Sequence, residues 1–435
     1  MYKGMAKSNY KWGVVTVLSL FLMIQAADTY IISAVEPQLI QEYHVTFAVM
    51  GILITSTLVV GTVLYPFWGY LYDKYSRKIL TVFMAIILGA TTWINGLSRI
   101  FSQLFVTRIL TGIGYPLPSG AFTLTADYFE PKSRGKAMGV INAASPIGYL
   151  LGIVIPLTVI GAGLSWRYSF YITAGLSLAV GVLIYVFVKE IPRGSSEPEL
   201  AGKVASDVYK VKLSDLKKIL KNRSLLLLFT QGLFGTIPWT AISFSIITYM
   251  SLVRKIPSFT ITLVLLVWII AMVGGNLVSG YLSDFLFKRI PSGRAILGTI
   301  VVFLSALLIY LTMYSSTDAT FYVLGVITAF VLPMAGPSVN AAVMDIIEPE
   351  LRGSATAYLN FFASVGSAFG PGIVGVIATA ISLQFAITVV SSVTWIFCGI
   401  VFALLIFVIP KDISKFKETM KLRGEQLNNS AEERI

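Results

Sequence analysis

The sequence predicts an all-α polytopic membrane protein of twelve transmembrane helices, arranged as two pseudo-symmetric six-helix bundles. Three observations carry this reading: an apolar composition, twelve spaced apolar runs, and a duplication of short charged loops. Of the 435 residues, 56% are hydrophobic and only 12% charged, a balance outside that of soluble domains. A bilayer core roughly 30 Å thick needs about 20 apolar residues per helix. Twelve stretches meet this length: 12–35, 46–68, 79–98, 101–128, 137–160, 168–188, 224–250, 258–284, 293–314, 320–343, 354–381 and 384–409. No small-residue cleavage site follows the first of them, so it reads as a retained helix rather than a signal peptide.

The loops orient these helices. With the N-terminus cytoplasmic, 28 of the 33 Lys and Arg residues fall on cytoplasmic segments. The opposite loops hold only Arg99, Arg167, Arg254 and Lys255, and Arg108 lies inside a span. Such asymmetry is the positive-inside pattern and places both termini in the cytoplasm. The net charge of +12 is therefore a topology signal, and no nucleic-acid partner is expected. The lipid bilayer is the expected surrounding. Short loops and tails fit a multi-pass protein of the plasma (cell inner) membrane, monomeric in its working form.

One cysteine, Cys398, and one histidine, His44, exclude an intrachain disulfide, a zinc cluster and a Cys–His or Ser–His pair. Cys398 reads as a small packing residue in the last span, and His44 as a loop residue. No ATP-binding glycine-rich loop is present, so any work is expected to draw on gradients. No cofactor, no metal and no enzymatic activity are expected.

The only long polar stretch separates spans six and seven and sets the domain boundaries. A first bundle covers 1–190, a linker 191–223, a second bundle 224–410, and a polar tail 411–435. Within the linker, "VKLSDLKKILKNRS" spaces its apolar residues as a short amphipathic helix on the membrane surface, or as a solvated linker helix. The halves repeat. "GYLYDKYSRK" at 69–78 returns as "GYLSDFLFKR" at 280–289, and "ADYFEPKSRGKA" at 126–137 returns as "MDIIEPELRGSA" at 344–355. The offsets, 211 and 218 residues, are nearly one value. Duplicated six-helix halves recur among secondary transporters, with the solute site near the midplane.

On these residues the chain resembles the major facilitator superfamily over nearly its whole length. That family carries a loop of the form Gly-x-x-x-Asp-(Arg/Lys)-x-Gly-Arg-(Arg/Lys) between helices two and three. Here Gly69, Asp73, Lys74, Arg77 and Lys78 match, with Ser76 in place of the last glycine. The second copy keeps Gly280 and Asp284 and then diverges. Gly69 and Gly280 are expected to let helices approach closely. Asp73 stands at a helix end where it can pair with Arg77. Asp127, Glu130 and Arg134, mirrored by Asp345, Glu348 and Arg352, supply further partners. The resemblance implies that these charges latch the cytoplasmic side and part when the carrier opens inward; the alternative is that they set topology and loop structure alone.

Asp28 and Arg108 are the two ionisable residues well inside the predicted spans, each costing roughly 2.5–3.5 kcal/mol at a helix centre. At 1.5 Å per residue, Asp28 lies about 6 Å and Arg108 about 10 Å to the same side of their helix midpoints. They are level to within about one turn, and an ion pair is expected. Gln25 shares a face with Asp28, and Tyr115 a face with Arg108. Pro116 and Pro118 invite a break in the fourth helix, tolerated where backbone lines a cavity. Within the superfamily the arrangement is most similar to organic anion symporters and spinster-like lipid carriers. Those carry Asp-Arg in helix one, and Arg followed seven residues later by Glu in helix four. Thr29 stands at the second arginine position and Tyr115 at the glutamate, which leaves Asp28 to carry proton coupling on this side. A static pair that fixes helices one and four is the other reading.

Gln231, Trp239, Tyr358 and Asn360 are candidate solute contacts, because the resemblance implies that helices seven and eleven border the cavity. Asn340 reads as interhelical glue. The expected function is a secondary transporter that moves a small organic solute, an organic anion as one class, by alternating access with proton coupling through Asp28 and Arg108. An exporter of amphipathic compounds or lipids is the second reading, and a non-transporting receptor a third. "ASPIGYLLG" at 144–152 lacks the glycine of the exporter motif, which leaves the direction open.

Overall fold

In a computed structural model, the protein is described at residues 8–115, 118–129, 131–191, 219–347 and 352–432, and these are helical but for short turns. The helices are α1 (Ser8–Tyr43), α2 (Phe47–Lys74), α3 (Arg77–Leu97), α4 (Phe101–Gly112), α5 (Pro118–Tyr128), α6 (Pro131–Gly161), α7 (Arg167–Phe187), α8 (Arg223–Thr248), α9 (Ser258–Arg289), α10 (Gly293–Met313), α11 (Asp318–Val331), α12 (Ala335–Met344), α13 (Arg352–Ala380) and α14 (Leu383–Glu432). Among the described residues, eleven helical runs are long and apolar enough to cross a bilayer. The fourth predicted span is the one divided, into α4 and α5 of 12 and 11 residues, at the prolines that forecast a break. The tenth is interrupted too: α11 passes through a 3₁₀ turn, Leu332–Met334, into α12. Most of the linker predicted to form an amphipathic helix lies outside the described residues.

Packing divides the chain into two compact units. The first comprises Met1–Val208, Ser243–Leu263 and Pro371–Leu383; the second comprises Tyr209–Ile242, Val264–Gly370 and Gln384–Ile435. Boundaries thus fall inside α8, α9 and α13. In the first unit, α1 packs along α6 and α3 along α7. Side chains such as Val186, Ile270, Leu277 and Phe407 stay exposed, as a lipid-facing surface requires.

Between α1 and α6 the contact is set by small residues. A Cβ on Gly152 would lie 2.5 Å from the Ala27 carbonyl oxygen, and one on Gly148 would lie 2.6 Å from the Ala26 Cβ and closer still to the Met23 carbonyl. This is the small-residue packing of membrane helices, where van der Waals contact replaces the hydrophobic drive. Gly280 departs from expectation. A Cβ there would meet nothing within 4 Å, so no helix crosses closely at this glycine.

A second correction concerns α1. The sequence places the end of the first span at Val35, because Glu36, Gln38 and Gln41 dilute the hydropathy. The helix instead runs on to Tyr43, and Ile32, Val35 and Leu39 remain buried, at the spacing of one helical face. Glu36 therefore lies inside the helix bundle and is itself buried.

The two glycine environments separate in a stability test. Gly148→Val should lower the unfolding temperature of purified protein by several degrees, since overpacking costs about 1–3 kcal/mol. Gly280→Ala should leave it unchanged or slightly raised, as expected for Gly→Ala in an unobstructed helix.

Candidate functional site

The polar centre of the first unit is built by α1, α3 and α4. Asp28 and Arg108 are each 1% exposed and pair at 3.1 Å, Arg108 Nη1 to Asp28 Oδ2. The pairing expected from helical rise is met. Both carboxylate oxygens and both terminal guanidinium nitrogens of the pair have partners. Asp28 Oδ1 accepts the Thr92 hydroxyl at 2.6 Å, and Oδ2 also accepts the Tyr115 hydroxyl at 3.3 Å. Arg108 Nη2 donates to the carbonyls of Asp28 at 2.5 Å and of Thr29 at 3.3 Å, and the guanidinium sits 5.9 Å from the centre of the Phe170 ring. Buried ion pairs persist when their remaining lone pairs and protons are satisfied in this way.

The two departures from the resembling families now have a geometry. The Thr29 hydroxyl donates back to the Gln25 carbonyl at 3.0 Å, so Arg108 is the one guanidinium in this centre among the described residues. Tyr115 replaces an acid with a phenol that donates to Asp28. Beneath them the chain leaves helical form after Gly112. Gln25 Nε2 donates to the carbonyl of Tyr115 at 2.6 Å and lies 3.5 Å from that of Gly114, satisfying backbone acceptors freed by the break. Asn95 extends the network: its Nδ2 donates to Thr111 at 3.2 Å, and its Oδ1 accepts from Thr107 at 2.6 Å.

The second unit holds a cavity of about 180 Å³ at the interruption between α11 and α12. Gln231, Trp239 and Asn360 line it, joined by Asn340, Trp395 and Ser305. Among the described residues, no Lys, Arg, His, Asp or Glu lines it. Tyr358 is not in the lining; its ring stacks on Phe229 at 5.9 Å. Cys398, expected as packing, faces the cavity with its Sγ 3.7 Å from Gln231 Oε1. Asn340 is a lining residue rather than glue alone. Its signal was present in "LPMAGPSVN" at 332–340, where two prolines and a glycine mark an irregular backbone.

Among the loop charges, Asp284 and Asp345 are brought together by a residue that the repeat did not reveal. Arg294, at the start of α10, donates to Asp345 at 2.7 Å and to Asp284 at 2.9 Å. The second copy lengthens the interval from aspartate to arginine, which hides the correspondence with Arg77. In the first copy Glu190 was also missed. It accepts the Ser76 hydroxyl at 2.6 Å and the amides of Arg77 and Lys78 at 3.2 and 2.9 Å, a carboxylate on a helix N-terminus. Arg77 is buried. The side chains of Asp73, Asp127, Arg134 and Arg352 and the packing of Gly69 lie outside what is described, as do Glu130 and Glu348 altogether.

Removing one partner of the central pair should cost more than removing both. Arg108→Ala leaves a buried carboxylate alone and should destabilise by about 3–5 kcal/mol. Combining it with Asp28→Asn should recover part of that loss, as read from thermal unfolding of the three variants.

Relatives agree with this architecture. The chain is 26% identical over 397 residues to a hexuronate transporter of Bacillus subtilis, covering 85% of this chain and 88% of that protein. It is 25% identical over 422 residues to a cis,cis-muconate transport protein of Acinetobacter baylyi, covering 93% and 98%. Protein spinster of Drosophila melanogaster is 26% identical, aligned over 85% of this chain and 62% of its own length. Among solved structures, a bacterial homolog of the human lysosomal transporter spinster superposes with a TM-score of 0.83 at 16% identity, covering 94% of this chain and 99% of that one. The description Major Facilitator Superfamily matches residues 18–310 and 285–429, and with the multi-span helical architecture this makes the chain a multi-pass membrane transporter of that superfamily.

Proposed function

We propose that the protein carries a small organic anion across the membrane by alternating access, coupled to protons, with the polar centre of the first unit as its charge-recognition element. The observation that carries the reading is the buried Asp28–Arg108 pair. Asp28 acts as an internal surrogate for a substrate carboxylate. An incoming anion can take Arg108 only if Asp28 gives it up, and an acid that has lost its cation is then stabilised by taking a proton. Exchange of the arginine between the two carboxylates thus links solute binding to proton binding. Tyr115 and Thr92 hold Asp28 in place through that exchange.

Within the second unit, the uncharged cavity offers neutral polar and aromatic contacts of its own. Amides from Gln231, Asn340 and Asn360 offer donors and acceptors, and Trp239 and Trp395 offer flat apolar faces. A hydroxylated or unsaturated carboxylate, like the relatives' named solutes, carries the charge that Arg108 would recognise. The loop charges about Arg294, and the repeated loop at 69–78, act as the cytoplasmic latch in this scheme, with both termini cytoplasmic and the protein monomeric in the plasma membrane. The competing reading, export of amphipathic compounds or lipids, draws on the spinster relatives and on the two tryptophans in an uncharged cavity.

Proteoliposome uptake decides between them. Labelled hexuronate or muconate should accumulate under an inward proton gradient and stop accumulating when a protonophore collapses it. Arg108→Lys should lower uptake by at least about tenfold, Asp28→Asn should abolish the response to the gradient, and Trp239→Ala or Asn360→Ala should raise KM with less effect on the maximal rate. Carboxylate uptake that survives loss of Arg108 would sink the anion reading, and movement confined to lysolipids would favour the exporter.

A further inference from the structure

The helix α1 carries three acids, and they stand in three different settings. Asp28 has Arg108, and Glu42 has Arg167 at 2.6 Å. Glu36 has no cation among the described residues. It is 6% exposed, it accepts the hydroxyl of Thr248 on α8, and Thr248 is fully buried. Around it lie Ile32, Val35, Leu39, Met50, Leu53 and Phe244, one apolar cluster. Burial without a counter-ion accommodates a neutral acid and penalises a carboxylate.

Both helices are weakened at this level. Pro37 lacks the amide that would bond the Ser33 carbonyl, and the Ser33 hydroxyl reaches instead across to the Ser243 carbonyl at 3.1 Å. On the facing side α8 ends at Thr248 and continues as a π-helical turn, Tyr249–Val253. Such turns concentrate at functional sites because their hydrogen bonds rearrange easily. The Glu36–Thr248 contact therefore joins the proline-interrupted stretch of α1 to the end of α8 where the π turn begins.

We propose that Glu36 is a proton-binding site that governs the seam between α1 and α8. Closing the seam moves one proton from solvent at the α1–α2 turn end onto the Glu36 carboxylate, and opening it returns that proton to the same solvent. This rests on the alternating-access reading and adds to it a proton site separate from Asp28. The titratable and charged groups facing this region are few. On α1 they are Asp28, Tyr30, Glu42 and Tyr43, with His44 in the turn that follows. On α8 and its continuation they are Tyr249, Arg254 and Lys255, with Arg254 Nε donating to Tyr249 Oη at 3.2 Å. From α6 comes Tyr149, edge-on to Tyr30 at 4.6 Å; from α7 Arg167, paired to Glu42; from α4 Arg108, paired to Asp28; and after α3 Arg99. The segment 371–383 brings no ionisable side chain.

Spin-label distances test the seam directly. Nitroxides at Gln41→Cys and Val253→Cys, in the full chain carrying Cys398→Ala and reconstituted in lipid, report its opening between about pH 5 and about pH 9. The short-distance population should dominate at low pH and give way to a longer one as pH rises. Glu36→Gln should keep the short distance throughout, Glu36→Asp should retain a pH response, and Asp28→Asn should retain it too. An unchanged response in Glu36→Gln, or its loss in Asp28→Asn, overturns the proposal; equal loss in Glu36→Asp and Glu36→Gln assigns Glu36 to packing and overturns it as well. A wild-type distance indifferent to pH overturns the proton site while leaving the transport reading to its uptake assay. Absent uptake with an intact response rejects the transport reading alone.

Discussion

The constraint on which the first unit depends is the need to keep one carboxylate and one guanidinium out of water. In a low-dielectric interior neither charge is tolerable alone, and together they are tolerable only if every remaining lone pair and proton finds a partner. Asp28 and Arg108 draw their partners from three helices. Thr92 binds from α3, Tyr115 from the segment after α4, and the carbonyls of Asp28 and Thr29 from α1 itself. The pair thereby sets the relative height of α1 and α4. It also ties the site to the packing of the bundle, since the same contacts hold α1, α3 and the segment after α4 together.

Close approach makes this possible. Gly112 faces the backbone of α2, where a Cβ would lie inside contact distance of the Thr57 carbonyl. Gly148 and Gly152 do the same for α6 against α1. The helix break after Gly112 then releases carbonyls that α-helical geometry would have consumed, and Gln25 takes them up. The second unit solves the same backbone problem at its own broken span. There the Ser279 hydroxyl, fully buried, donates to the Met334 carbonyl, and the irregular turn borders a cavity. One unit thus concentrates charge at its break, and the other concentrates neutral amides and tryptophans. The repeats share a backbone solution but diverge in the chemistry placed upon it.

The acids of α1 illustrate how environment, rather than residue type, assigns roles. Asp28 is paired and networked, Glu42 is partly exposed and held by Arg167 and by the Trp166 indole at 2.6 Å, and Glu36 is buried beside a hydroxyl alone. A single helix therefore presents a networked ion pair, a surface clamp and, among the described residues, an acid without a cation along its length. The clamp anchors the end of α1 to α7, while Glu36 sits at a proline and opposite a π turn, where the helices are least committed to one arrangement.

Much of this was legible in the residues themselves. Twelve apolar runs, the Lys and Arg asymmetry and the repeated loops determine a duplicated helical bundle, because span length and loop charge answer to the bilayer and not to detailed packing. The level of Asp28 with Arg108 followed from helical rise alone, and Pro116 with Pro118 announced the break. Tertiary structure decided what depends on neighbours distant in sequence. Hydropathy could not carry α1 past Glu36, because only the apolar wall supplied by α2 and α8 shows that the acid is enclosed. The role of Arg294 was hidden by a lengthened turn, and Gly280 looked like a crossing point because glycine spacing does not say whether a partner helix is there. Tyr358 and Asn340 exchanged their expected places for the same reason: which face of a helix meets a cavity is fixed by the helices around it, and a local sequence records only that the face exists.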